Sequence, residues 1–197
     1  MKYFRITSPD NGENIMMSRS SDRKIFHTSG AFIDTKQITL PFQITMYAGE
    51  DAGYDQYDPD FEGEPEVLTL EDRLLDFYSE SSLMTPKLIE ALQQAGVQNI
   101  QLFPTEIKEH GSGKVLEKEY LLVNILGLVL CADIDNSDHD PIGETFYFHN
   151  LKLDESKTNE LPIFRLAESP FEIIINEKVA EIINKGNFKG IGTELLN

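Results

Sequence analysis

The stretch that decides the fold is Met84-Thr85-Pro86-Lys87-Leu88-Ile89-Glu90-Ala91-Leu92, which is followed by Gly96. Thr85 is a residue type that caps helix N-termini, and Pro86 suits the first helical position, where an N–H would have no partner. The apolar face of this helix consists of Leu88, Ile89 and Leu92. Gly96 is typical of the position just after a helix C-terminus. The stretch therefore predicts a short, capped helix with one apolar face.

The sequence after this helix is rich in predicted strands. They lie at residues 100–107, 119–131, 145–153, 163–166 and 171–175. Pro104 in the first is expected at an edge or a bulge, because proline cannot donate to a ladder. Gly127 is expected to bend the second strand or divide it in two. Residues 110–114 predict a turn, and residues 177–184 a terminal helix flanked by glycines.

The sequence before the helix predicts fewer elements. Strands are expected at residues 2–7 and 42–47, and an exposed loop at residues 48–66, where glycine and proline recur. Thr69 is expected to cap a second helix, whose apolar stripe runs from Leu70 to Tyr78. Helices and strands do not alternate regularly, which favours an α+β fold with a mixed, mostly antiparallel sheet and a few short helices. Residues 1–80 are predicted as an N-terminal strand-rich lobe and 81–197 as a C-terminal α+β domain, together forming one compact unit.

Charge excludes several classes of partner. The chain has 34 acidic and 17 basic residues, a net charge of −17. Such a protein repels nucleic-acid phosphates and anionic lipid surfaces and favours a partner with a basic surface. The charge is concentrated in residues 50–72, which hold ten acidic and no basic side chains.

The acidic loop at residues 48–66 is the predicted partner-binding site, because it combines charge with aromatic side chains. Charge supplies steering and specificity, whereas buried aromatic rings usually carry the binding energy. The expected contacts are the acidic residues Asp51, Asp55, Asp58, Asp60, Glu62 and Glu64 and the aromatic anchors Tyr54, Tyr57 and Phe61. The strand-rich C-terminal face is the rival site, and a solvated loop without a partner is the alternative.

Motifs for catalysis or metal binding are incomplete. Cys131, the only cysteine, lies in an apolar run and is expected to be a buried thiol. Residues 111–114 (Gly-Ser-Gly-Lys) lack the other residues of a phosphate-binding loop and predict a hairpin turn. Residues 133–144 resemble a calcium loop, but Asp138 stands where glycine is required. A second acidic group is Asp55, Asp58 and Asp60. We therefore expect no metal, no cofactor and no enzymatic activity.

No targeting signal is evident. The first ten residues have no apolar core of a signal peptide, and the longest apolar stretch is shorter than the roughly 20 residues needed to span a membrane. A cytoplasmic location without membrane contact is the simplest expectation.

The C-terminal residues resemble a known family. The pattern consists of the capped helix at 84–92, then residues 96–104, 120–125, 133–137, 151–154 and 163–166, before a terminal helix. Over residues 83–192 the chain is similar to immunity family eleven, bacterial immunity proteins from polymorphic toxin systems. The resemblance implies an antitoxin that binds and neutralises a cognate secreted antibacterial toxin by direct protein–protein interaction. It transfers no functional residues. An acidic adaptor unrelated to toxins, or an enzyme without a readable motif, is the alternative.

Overall fold

The computed structural model describes residues 1–8, 15–19, 36–37, 44–50, 70–79, 81–109 and 111–196. The helices of these residues are α1 (Leu70–Arg73), α2 (Pro86–Gln94) and α3 (Glu177–Lys185). Their strands are β1 (Tyr3–Thr7), β2 (Ile15–Arg19), β3 (Ile44–Glu50), β4 (Phe77–Tyr78), β5 (Leu83–Met84), β6 (Ile100–Glu109), β7 (Tyr120–Ile125), β8 (Leu128–Val129), β9 (Asp138–Ile142), β10 (Thr145–Asn150), β11 (Ile163–Leu166), β12 (Ser169–Asn176) and β13 (Gly192–Leu195).

Two larger sheets and one hairpin organise these strands. A six-stranded sheet has the order β2-β3-β6-β7-β5-β4, and a five-stranded sheet has the order β13-β1-β12-β11-β8. Strands β9 and β10 form a separate two-stranded hairpin. Within the described residues the parallel pairs are β3 with β6 and β8 with β11, and the other pairs are antiparallel. The predicted α+β class with mixed, mostly antiparallel sheets is confirmed.

The capped helix forms as the sequence predicts. The Thr85 hydroxyl accepts a hydrogen bond from the Leu88 N–H at 3.4 Å, and Pro86 occupies the first turn. Gly96 follows the C-cap and takes a φ of +98°, a left-handed conformation in which glycine is unstrained. The apolar face is buried as predicted, at Leu88, Ile89 and Leu92.

The main core joins helices α2 and α3 to both larger sheets. It contains side chains from the six-stranded sheet, the five-stranded sheet and both helices, among them Val123, Ile173, Leu88 and Val179. A second cluster covers the opposite face of the six-stranded sheet, and a third lies between the five-stranded sheet and the hairpin. Because both faces of each larger sheet are covered, many strand residues are buried whichever face of the sheet their side chains point to.

The N-terminal strands complete sheets that the C-terminal residues build. Strand β1 lies between β12 and β13, and β3 pairs with β6. The predicted division at residue 80 would therefore place strands of one sheet in two different lobes. The two-lobe description stays a prediction.

The predicted helix from Thr69 to Tyr78 is wrong in its extent. Helix α1 is a single turn, Leu70–Arg73, and Thr69 lies outside the described residues. Phe77 and Tyr78 instead form β4, with Phe77 in the main core and Tyr78 in the second cluster. Since neighbouring strand residues point to opposite faces and both faces are covered here, pairing with β5 buries both rings. That burial overrides the helical spacing.

The predicted loop at residues 48–66 is also wrong at its start. Residues 48–50 belong to β3, and Ala48 is fully buried between Met17 of β2 and Glu109 of β6. Because β3 is paired with β2 and with β6, its backbone hydrogen bonding continues past Ala48, and Gly49 does not end the strand. The remainder of the loop lies outside the described residues.

The predicted break at Gly127 is confirmed. The segment divides into β7 in the six-stranded sheet and β8 in the five-stranded sheet. A Cβ at Gly127 would lie 3.1 Å from Leu161 and 3.4 Å from Phe164, so the chain crosses between sheets through a space that suits glycine. Pro104 lies opposite Leu121 in the β6–β7 ladder, one residue before β6 begins to pair with β3, so on the β3 side it has no described partner.

Candidate partner-binding surface

Nine residues are predicted to contact a partner. Asp51, Tyr54, Asp55, Tyr57, Asp58, Asp60, Phe61, Glu62 and Glu64 all lie outside the described residues. Their role stays a prediction. The described part of the chain instead offers a surface on the rival C-terminal face, built by the β9–β10 hairpin and the segments that flank it.

The outer face of the hairpin carries both charge and exposed apolar area. Asp140 lies opposite Tyr147, and Ile142 lies opposite Thr145. Tyr147 is 55% exposed and Ile142 is 60% exposed. His149 lies 3.0 Å from Asp140, between Nε2 and Oδ2, and its ring meets the edge of the Tyr147 ring at a centroid distance of 5.0 Å. This face therefore presents an aromatic ring and a carboxylate side by side.

The inner face fixes the hairpin to the five-stranded sheet. Phe148 is buried, and the rings of His139 and Phe146 pack at a centroid distance of 4.8 Å. The Phe146 N–H donates to the Glu168 carbonyl at 2.9 Å, and Arg5 donates to the Phe148 carbonyl at 3.4 Å. Because apolar packing and backbone hydrogen bonds act together, the outer face is held in one orientation.

An acidic hollow lies at the base of this hairpin. Its walls are residues 132–135, which precede β9, and residues 153–157, which follow β10. The hollow measures about 600 Å³. Backbone bonds from Asp133 N–H to the Lys152 carbonyl and from Asp154 N–H to the Cys131 carbonyl, both 2.8 Å, hold the walls together. We call this feature the acidic hollow; its charged lining residues are Asp133, Asp135, Asp154, Glu155 and Lys157.

The carboxylates of the hollow differ in how they are compensated. Hydrogen bonds from Ser156, and then from Lys157, lower the pKa of Asp154, whose carboxylate lies 2.9 Å from the Lys157 ammonium. Glu155 is paired with the N-terminal amino group at 3.0 Å. Asp133 accepts a hydrogen bond from the Asn136 amide at 2.8 Å. In the described part of the chain, neither Asp133 nor Asp135 lies within 4.0 Å of a cationic group, but the charge of Asp133 acts on Lys157 in the opposite wall and helps to raise the pKa of that lysine.

A third carboxylate lies behind the wall of the hollow. Glu168 is only 8% exposed, and its Oε1 accepts a hydrogen bond from the Ala132 N–H at 2.7 Å. Its Oε2 is buried and has no hydrogen-bond partner among the described residues. Burial, with the charges of Glu168 and Asp154, raises the pKa of the Cys131 thiol to about 12. The region beneath the hollow is therefore negatively charged and shielded from solvent.

The charge of this region is strongly one-sided. Residues 133–157 hold seven acidic and two basic side chains, a net charge of −5 with neutral histidines. Proline and charged residues on β9 are devices that discourage another strand from pairing at an exposed edge. The acidic hairpin and hollow thus fit cationic side chains better than an added strand.

The stretch that resembles a calcium loop also carries a local signal for a hairpin. Residues 134–136 form one turn of 3-10 helix, and Asp138–Ile142 form β9. Gly143 takes a φ of +61° and joins β9 to β10 together with Glu144. A glycine-containing two-residue connection between β-prone segments is typical of a hairpin. Glu168 could not have been found, because it approaches Ala132 only through the fold.

Groups for other chemistry are not assembled in the described residues. No three His, Cys, Asp or Glu side chains there lie close enough together to hold a metal ion. The Gly-Ser-Gly-Lys segment forms a turn after β6, in which the Glu109 N–H donates to the Lys114 carbonyl at 2.8 Å. The described helices include none that is long and apolar enough to cross a membrane.

The fold and this surface together define an α+β protein with an acidic outer face. The chain belongs to the Immunity protein family (Imm11), which it matches over residues 2–194. The resemblance at residues 83–192 is thereby confirmed and extends to the N-terminal strands, which complete both larger sheets. Among curated proteins, no match to the chain was found.

Proposed function

We propose that this protein neutralises a cognate secreted antibacterial toxin by binding it directly in the cytoplasm, without catalysis. The observation that carries the proposal is the family match over residues 2–194. Immunity requires tight capture of one partner and needs no catalytic group. The net charge of −17 supports a toxin with a basic surface, because complementary charge raises association rates by roughly 10 to 1000-fold.

Co-expression tests this function. Each neighbouring gene is induced with and without this chain, and growth and complex formation are measured together. We expect one neighbour to be toxic alone, and to be both tolerated and co-purified when this chain is present. If no neighbour is toxic, or if protection occurs without a complex, direct neutralisation is wrong.

We further propose the acidic loop as one contact region for that toxin. The acids Asp51, Asp55, Asp58, Asp60, Glu62 and Glu64 would steer the encounter, and the rings of Tyr54, Tyr57 and Phe61 would be buried in the complex. Charge concentration and aromatic content support the assignment.

Two loop variants separate these roles. Changing Asp55, Asp58, Asp60 and Glu62 to their amides should mainly slow association, and more so at low salt. Changing Tyr57 and Phe61 to Ala should mainly speed dissociation. The matched control changes four exposed acids elsewhere, Glu90, Glu119, Glu160 and Glu181, to Gln. If both loop variants bind and protect as the control does, the loop is not a contact region.

A further inference from the structure

Three exposed apolar side chains share one face of the five-stranded sheet. Leu128 is 42% exposed, Leu130 is 69% exposed and Phe171 is 72% exposed. Leu128 and Ile173 both pair with Arg165, so these side chains lie on the same face of the sheet. Leu130 lies two residues after Leu128, and Phe171 two residues before Ile173, so strand alternation brings both to that face. We call Leu128, Leu130 and Phe171 the apolar patch.

The backbone that carries the apolar patch is packed, so its side chains are not exposed because a segment is loose. Leu130 lies between Val129 and Cys131, which are both buried. Phe171 directly follows Pro170, which is buried at the start of β12. Single exposed apolar side chains are normal on protein surfaces, whereas several on one face indicate an interaction site.

A buried cation lies among the residues of the apolar patch. Arg165 is only 6% exposed, and no carboxylate in the described part of the chain pairs with it. Its guanidinium donates to the Pro170 carbonyl at 2.9 Å and to the Ser82 hydroxyl at 3.4 Å. Burial lowers the pKa of Arg165 to about 10. Arg165 thereby ties the residue before Phe171 to the segment before β5 in the other sheet, which fixes the position of the patch.

The chain around the apolar patch is acidic. Residues 125–149, which include two of the three patch residues, hold five acidic side chains and no Lys or Arg. The hairpin adjoins the turn between β11 and β12, because the Phe146 N–H donates to the Glu168 carbonyl at 2.9 Å. Glu144, two residues before Phe146, is exposed at the tip of the hairpin, and Asp140 is exposed on its outer face. We call Asp140 and Glu144 the acidic rim.

We propose that the apolar patch binds an apolar side chain of the toxin, while basic residues around that side chain face the acidic rim. This proposal rests on the function proposed above. A second copy of this chain is the other candidate occupant, but it would bring the same net charge of −17 to the contact. Charge complementarity therefore favours a basic partner. Interfaces commonly combine a central apolar anchor with a polar or charged rim.

The first test removes the apolar side chains. L130S/F171S should raise the Kd for the toxin found by co-expression at least roughly tenfold, mainly through faster dissociation. The matched control is V115S/L195S, which changes two apolar side chains that are 50% and 47% exposed elsewhere on the surface. This control should leave the Kd within about twofold. Equal melting temperatures would show that both variants are folded, and equal Kd values would show that the patch is not a contact.

The second test addresses the acidic rim and does not depend on the apolar side chains. D140N/E144Q should slow association several-fold at low salt and change dissociation little, and the difference should shrink in about 0.5 M NaCl. The control E90Q/E181Q makes the same charge change on exposed helix faces. If both variants slow association equally, the attraction is general, and the assignment of the rim is wrong.

Light scattering during size-exclusion chromatography decides between the two occupants. We expect the isolated protein to stay monomeric. If the wild type dimerises and L130S/F171S abolishes the dimer, the patch joins two copies of the chain, and the proposal is wrong. If the wild type neither binds nor protects against any neighbour, the proposed function fails and the patch loses its partner. If the wild type binds and protects but L130S/F171S matches V115S/L195S, only the assignment of the patch fails.

Discussion

Thr85 joins three parts of the chain through one hydroxyl group. It accepts a hydrogen bond from the Leu88 N–H and donates one to Asp76 Oδ1 at 3.0 Å. The second oxygen of Asp76 accepts from the Lys189 N–H at 2.9 Å. Thr85 and Asp76 are both buried. The cap of α2 is therefore also the link between β4 and the segment before β13.

Removal of this hydroxyl should destabilise the protein. Thr85→Ala is expected to lower the free energy of unfolding by about 1–2 kcal/mol, because the Leu88 N–H loses its acceptor and the Asp76 carboxylate loses one donor while it keeps Lys118 and the Lys189 N–H. Thr85→Ser keeps the hydroxyl and should retain most of that stability. Urea denaturation measures both, and equal losses in the two variants would show that the methyl group matters and the hydroxyl does not.

Cys131 should be inert at neutral pH. Burial, and then the charges of Glu168 and Asp154, raise the pKa of its thiol to about 12. A thiol needs to ionise to react, so the native protein should resist alkylation at pH 8 and react fully once denatured. Rapid labelling of the native state would contradict the buried environment.

The raised pKa of Cys131 also sets a pH dependence of stability. The unfolded thiol ionises near pH 8.5, whereas the folded thiol keeps its proton until about pH 12. Between these values the folded state binds more protons than the unfolded state, so the thiol's contribution to stability is present below pH 8.5 and is lost as the pH rises. Cys131→Ala should therefore lose less stability than the wild type from pH 8.5 to pH 10.5 in urea titrations.

At the scale of elements, one charged side chain of β1 adds to the backbone pairing of this strand with β12 and β13. The Arg5 guanidinium lies 3.1 Å from Glu172 on β12 and 3.0 Å from Glu194 on β13. Burial acts to lower the pKa of Arg5, but the two carboxylates outweigh it and hold that pKa above its usual value. One residue thus connects three neighbouring strands.

Loss of the Arg5 charge should weaken the five-stranded sheet. Arg5→Met is expected to reduce the free energy of unfolding by about 2 kcal/mol, because Glu172 keeps a mostly buried charge without its partner. Lys2→Met is the control: its pair with Glu177 is long, 3.9 Å, and exposed, so the loss should be below about 0.5 kcal/mol. Similar losses in both variants, measured by urea denaturation, would show that Arg5 acts only through its surface charge.

The elements that the sequence predicted well are those with local signals. The cap at Thr85, the glycine after α2 and the break at Gly127 depend on residues close by in the chain. Strand β4 carries no such signal, because two residues are too few to show the alternation of apolar and polar side chains that is typical of a strand. Their burial depends instead on pairing with β5 and on the side chains that cover both faces of the sheet. The acidic hollow has no local signal either. Its walls are separated by the whole hairpin, and Glu168 comes from a later segment, so the site exists only after folding.

At the scale of the whole molecule, charge repulsion opposes the folded state. The chain has a net charge of −17, and its described ion pairs lie mostly at the surface. Raising NaCl from low concentration to about 0.5 M shortens the screening length to a few ångströms and should raise the melting temperature by a few degrees. Choline chloride at the same ionic strength should act equally. A melting temperature that falls with either salt would show that local pairs outweigh the general repulsion.

The place of β1 between β12 and β13 also affects how the protein is made. Phe4 pairs with Ile175 on one side and with Leu195 on the other. A ribosome adds roughly 5–20 residues per second, so β1 waits on the order of ten seconds or more for both neighbours. During that time β6 and β7 of the other sheet are already available to pair with each other. The five-stranded sheet therefore closes last, and a newly synthesised copy completes this sheet only when β13 has emerged from the ribosome.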